Sequence, residues 1–203
     1  EPVLVDCGQF TPDSVQAIES SLAAEGVAVS DLKKVIITHA HVDHAGAARY
    51  LAEHSDAEIW VSDYAWDWVC NLEEKWSLRV DMLRDVAIKA GVGQERADGM
   101  ASGMSSILKI WQPVPVDRMV RFNTKTKLAM GGDRWDVIYA PGHTQTQTCF
   151  YEPISQQLIS ADMLLHIAPV PVIERYPDPD DDGQPVRVKG LPQHVEIGRA
   201  SCR

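Results

Sequence analysis

Apolar positions along the chain fall into two rhythms, short unbroken runs and helical repeats, and the two alternate over the first sixty residues. VLVDCG, residues 3–8, is an apolar run closed by glycine and predicts a buried strand. In TPDSVQAIESSLAAEG, residues 11–26, Thr11 can cap, Pro12 suits the first turn and Gly26 the end, so a helix is expected. LKKVIITH (32–39) predicts a second strand, HAGAARYLAEHS (44–55) a second helix, and AEIWVSD (57–63) a third strand.

The character changes between residues 64 and 112. WDWVCNLEEKWSLRVDMLRDVAIKAGVG and MASGMSSILKIW are helix-like and rich in Trp and Met. Strand signals return in DRMVRF (117–122) and TKLAMGGDRWDVIYA (126–140), where Gly131-Gly132 suits a hairpin turn. TCFYEPISQQLISAD (148–162) reads as another hairpin, and YPDPDDDGQP (176–185) as a surface loop. The expectation is one α/β domain over residues 1–196, with a helical insertion at 64–112 and no internal repeat.

Charge narrows the function classes. With 19 Lys and Arg against 29 Asp and Glu, the net charge of −10 lacks the basic stripe that nucleic acid or an anionic membrane surface requires. No apolar run approaches the ~20 residues of a membrane helix. EPVLVDCGQF has neither a basic region nor a cleavage site of a signal peptide. Cys7, Cys70, Cys149 and Cys202 are scattered without a C-x-x-C pair, which fits reduced thiols and a cytoplasmic setting; a secreted enzyme trimmed of its leader is the alternative.

The ends carry their own expectation. The chain lacks an initiator methionine and is read as part of a longer protein, truncated at both ends. EIGRASCR, residues 196–203, is what the start of a common short-read sequencing adapter encodes. Residues 197–203, with Glu196 at their edge, are therefore expected to be a non-native read-through tail; sequencing the gene past the codon for Val195 decides it.

The densest chemistry is His39-Ala40-His41-Val42-Asp43-His44, where a strand ends and a helix begins. That is the rim at which open α/β sheets put their ligands. Neutral imidazole offers a lone pair to a borderline metal. In an extended link His39 and His41 project to one side, and Asp43 and His44 reach the opening from the helix start. Several ligands within one turn of chain lower the entropy cost of assembling a metal site.

This arrangement resembles the H-x-H-x-D-H signature of the metallo-β-lactamase superfamily. APGHTQTQ, with His143, is similar to that family's P-G-H-T motif, and LISADML, with Asp162, to its L-[FI]-x-G-D-x-L motif. VLVDCG resembles its early L-I-D-T-G strand. The resemblance implies an αββα sandwich with a two-metal site at its edge. By that resemblance His39, His41 and His143 would hold one zinc, Asp43 and His44 the second, and Asp162 would bridge them. Iron or manganese are the alternative metals.

The implied chemistry is hydrolysis of a small ester, thioester, lactone or amide by a zinc-bound hydroxide, with Asp43 orienting it and shuttling the proton. Two other readings stand beside it: an iron-dependent, sulfur dioxygenase-like oxidoreductase on the same scaffold, and a non-catalytic fold member that binds metal. The implied partner is a small molecule, not nucleic acid or membrane, and a dimer is open.

Departures from the family pattern have consequences. Gln145-Thr146-Gln147 replaces the usual x-G-x, and Ala161 stands where glycine normally precedes the aspartate. No match to the family's final histidine is found, and His194 lacks its P-G-H setting, so a second metal is expected to bind weakly and catalysis by this chain to be impaired. Asp178, Asp180 and Asp182 before Gly183 imitate a calcium loop, but Lys189 stands where the bidentate glutamate belongs, so a solvated loop is the reading. Trp66, Trp68, Trp76 and Trp111 either line a lid over an apolar substrate or pack helices and a dimer face. His166 is read as a surface or supporting histidine, with a pocket role as the alternative. His54 is read as a cation at a helix end, and Cys7 and Cys149 as core residues.

Overall fold

The computed structural model describes residues 1–166 and 190–201. The aspartate loop, Lys189, the IAPVPV stretch beside His166 and Cys202 lie outside them. Eight strands form two four-stranded sheets. The first is parallel, in the order β1 (Val3–Val5), β2 (Lys34–Ile37), β3 (Glu58–Ser62), β4 (Met119–Phe122). The second is an antiparallel meander of β5 (Lys127–Met130), β6 (Asp133–Tyr139), β7 (Thr148–Glu152) and β8 (Gln157–Ile159).

The strand period of two divides the apolar residues between layers. On β2, Val35 and Ile37 join Ile59, Val61 and Met119 in a core covered by helices, while Ile36 turns the other way. There it meets Phe122, Leu128, Met130, Trp135, Val137 and Phe150, which seal the two sheets together. Each such side chain contributes about 1.5–3 kcal/mol of burial. Gly131 and Gly132, at φ 64° and 94°, make the β5–β6 turn that side chains would resist.

The helices on the parallel sheet are α1 (Pro12–Ala24), α2 (Val42–Ala45), α3 (Ala48–His54), α4 (Trp66–Cys70), α5 (Leu72–Lys89) and α6 (Gln94–Ser105). The last three, with a 3-10 turn at Ser106–Lys109, form the crossover from β3 to its parallel neighbour β4. Beyond the antiparallel sheet, α7 (Gly190–Ser201) brings Ile197 against Ala140, Cys149 and Met163. The architecture is the αββα sandwich. Among the described residues no helix is long and apolar enough to cross a membrane.

Most expected elements appear, Thr11 accepting from the Ser14 N–H as the α1 cap. The single helix expected at 44–55 does not form as one. It is split into α2 and α3 because the Cys7–Gln9 backbone crosses there: Cys7 N–H takes the His44 carbonyl, and Ala47 N–H turns to the Gly8 carbonyl. A Cβ at Gly46 would stand 2.8 Å from Gln9 Cα, so only glycine admits the crossing strand.

The tryptophans prove to be packing residues. Trp66, Trp68 and Trp111 are buried in the core that joins the crossover to the parallel sheet, and Trp76 packs on it edge-to-face with Trp111. His54 donates its Nδ1–H to the Tyr50 carbonyl near the end of α3 and stacks on the Tyr50 ring. Cys7 and Cys149 are buried, as expected; His166 is exposed.

Candidate metal centre

At the carboxyl end of β2 the chain leaves the sheet as Thr38-His39-Ala40-His41 and turns into α2, with His41 in extended backbone at its start (φ −110°, ψ 155°). His39 is fully buried and His41 half-buried. The sheet end therefore aims one imidazole inward, and the helix start swings His44 back over it, ring centroids 3.9 Å apart.

His143 arrives from the loop after β6, on the other sheet. Thr146 Oγ1 accepts from the Ala40 N–H at 3.0 Å, and Thr148 donates both its N–H and its hydroxyl to the Thr38 carbonyl, at 2.9 and 2.7 Å. These bonds span more than a hundred residues and lock the two loops in register. As a result His39 Nε2 and His143 Nε2 each lie 3.0 Å from His41 Nδ1. Asp162, on the 3-10 turn Ala161–Met163 after β8, puts Oδ1 3.4 Å from His44 Nε2 and Oδ2 3.4 Å from His143 Nε2.

Proton accounting fixes which nitrogens face inward. Thr38 donates its hydroxyl to Asp6 Oδ2 at 2.8 Å, so the 3.0 Å contact between that hydroxyl and His39 Nδ1 requires the histidine to donate. His44 Nδ1 donates to the same Asp6 oxygen at 2.7 Å. Both rings thus turn Nε2 inward, that of His39 as a lone pair. His41 Nδ1 then touches two ring nitrogens but carries at most one proton, so a cation is what this donor set suits. Two groups among the described residues could hold one: His39, His41 and His143, and His39, His44 and Asp162.

Electrostatics agree at His39, whereas at His44 they favour a second proton, which a bound cation would displace. Burial, with the neighbouring imidazoles of His44, His41 and His143, holds His39 well below the usual histidine range, keeping it neutral. At His44 burial works in the same direction, but the Asp6 hydrogen bond and the carboxylates of Asp6, Asp43 and Asp162 outweigh it and raise the pKa.

The structure brings together His39, His41, His44, His143 and Asp162. Asp43 is more peripheral, 58 % exposed and 3.8 Å from His44 Nε2, outside both groups. His194 sits on α7, also outside them. Sequence reasoning missed Asp6, whose carboxylate gathers Thr38 N–H at 2.8 Å as well as the hydroxyl and imidazole. Its signal was an acidic residue ending a strand beside the histidine strand, here at φ 60°.

Comparison with known proteins points the same way. The family model described as the metallo-beta-lactamase superfamily matches residues 1–190. "Probable metallo-hydrolase YqjP" of Bacillus subtilis is 22 % identical over 171 residues, covering 80 % of this chain and 49 % of that protein. Hydroxyacylglutathione hydrolase GloC of Haemophilus influenzae is 27 % identical over 135 residues, 66 % of this chain and 50 % of that one. The chain thus spans about half the length of these relatives. A crystal structure of a metallo-beta-lactamase family protein from Thermus thermophilus superposes with a TM-score of 0.73 at 19 % identity, over 97 % of this chain and 59 % of that one, a likeness of fold.

Proposed function

This chain belongs to the metallo-beta-lactamase superfamily, and on that premise we propose that it is a zinc-dependent hydrolase of a small ester, thioester, lactone or amide. The observation that carries the reading is the meeting of His39 Nε2 and His143 Nε2 on His41 Nδ1, each at 3.0 Å, from opposite sheets. His39, His41 and His143 would hold one ion, His44 and Asp43 a second, and Asp162 would stand between. When bound, such a pair supplies Lewis acidity and lowers the pKa of water, giving a nucleophile at neutral pH.

The chain's own residues do the rest. Asp6 and Thr38 hold the His39 and His44 rings with Nε2 inward. The two Asp162 oxygens address His44 and His143 separately. Asp43, exposed at the rim, is free to orient the attacking water and to carry its proton to the leaving group. A small neutral or acidic-tolerant substrate fits a surface of net charge −10 better than nucleic acid or an anionic membrane does. The buried free thiols of Cys7 and Cys149 support a reducing, cytoplasmic setting.

The test is a panel of acyl-thioesters, lactones, esters and amides assayed on zinc-loaded protein, with a glutathione thioester first because of the likeness to a hydroxyacylglutathione hydrolase. Asp43→Asn and His143→Ala are expected to bring turnover to background while the melting temperature holds. Full activity in either variant refutes the assignment. Bound iron with oxygen uptake and no hydrolysis would refute the zinc hydrolase.

A further inference from the structure

Gln147 is fully buried just before β7, an unusual place for a carboxamide. Its Nε2 donates to the Ser160 carbonyl at 3.1 Å, while its Oε1 meets no hydrogen-bond partner among the described residues. Half-satisfied burial of an amide is unfavourable, so a leucine would be the simpler filling. The Ser160 carbonyl also receives the Cys149 thiol at 3.3 Å and the Met163 N–H at 3.0 Å. Three donors therefore converge on one peptide oxygen.

The next residue along the chain gives that convergence its reason. Ala161 has φ 43°, left-handed backbone that a Cβ disfavours. After it comes Asp162, whose reach to both His44 and His143 depends on that turn. Released, Ala161 would relax toward negative φ and carry Asp162 off the line between the two histidines. We propose that Gln147 is a positioning residue for Asp162: by gripping the Ser160 carbonyl it holds Ala161 in the left-handed turn that aims the carboxylate. This role rests on the reading of Asp162 as the carboxylate between two ions.

The experiment uses zinc alone as probe, titrated in competition with a chromophoric chelator, beside thermal melts. Gln147→Leu keeps the volume and removes the donor; it is expected to weaken the ion at His44 and Asp162 by ~10–100-fold and the His39, His41, His143 ion, which keeps three imidazoles, by less. Adding Ala161→Gly, which accepts φ 43° without strain, should recover most of that loss, whereas Ala161→Gly alone should alter affinity little. Unchanged affinity in Gln147→Leu, or no recovery in the double variant, overturns the proposal. Should Gln147→Leu not fold, Ala161→Val in the native background must weaken zinc by itself, and unchanged affinity there overturns it equally. His39→Ala separates the two readings: an undiminished His39, His41, His143 ion in that variant sinks the metal site itself, while its loss beside an unaffected Gln147→Leu sinks only the role of Gln147.

Discussion

In the parallel sheet, His39, His41, Asp43 and His44 leave one strand end within six consecutive positions; in the antiparallel sheet, His143 and Asp162 come from two separate loops. The first group needs little more than the β2–α2 turn and the Asp6 carboxylate to set its rings. The second depends on docking, through Thr146 and Thr148 to the histidine loop and through Phe150 and its neighbours to the other sheet. The contrast teaches that the binding group within one loop is cheap in chain entropy, whereas completing it draws on the stability of the whole sandwich.

The contrast breaks most severely at the seam. Phe150 is fully buried between the sheets, edge-to-face with Phe122 at 5.8 Å. Phe150→Ala is expected to cost about 3–5 kcal/mol in denaturant unfolding. Loss of cooperativity, with the parallel half still folded, would instead show that the halves are separable.

A subtler cut is Thr146→Val, which keeps shape and leaves the buried Ala40 N–H without its acceptor. A loss of about 1–3 kcal/mol is expected, together with weaker zinc binding, since His143 is no longer held in register. If affinity stays put, docking of the loops does not depend on this bond. On the parallel side, Asp6→Asn should weaken zinc by ~10–100-fold while sparing the fold, because rings freed to rotate no longer present Nε2. Titration calorimetry with zinc measures both.

The smallest effect lies far from the site. Glu152, at the β7–β8 turn, accepts from the Ser155 hydroxyl and from the Ser155 and Ile154 N–H groups, and these bonds hold its carboxyl below the usual carboxylate range. Its contribution is therefore complete above the unfolded carboxyl pKa and lost as pH falls through the lower folded one. Melts of Glu152→Gln should differ from the parent at neutral pH and converge with it in acid; a constant gap would exclude the linkage.

Legibility in the sequence followed the same divide. The histidine loop, the strand runs and the glycine hairpin were readable because each is a local pattern with a local cause. The broken helix at Gly46 was not, since the Cys7–Gln9 backbone that splits it is distant in sequence. Nor did the tryptophan spacing say whether those rings cover a pocket or pack the crossover on the sheet; burial of Trp66, Trp68 and Trp111 decided that.

By itself the sequence determined the types of the candidate ligands and the strand whose end the first four of them follow, because residue identity and strand period are properties of the chain. Only the tertiary structure decided which nitrogen each ring presents, that Asp6 sets two of them, and that Asp162 stands between His44 and His143. Tautomer and aim are settled by hydrogen-bond partners, and those partners become neighbours only when β1 pairs with β2 and the two sheets close on each other.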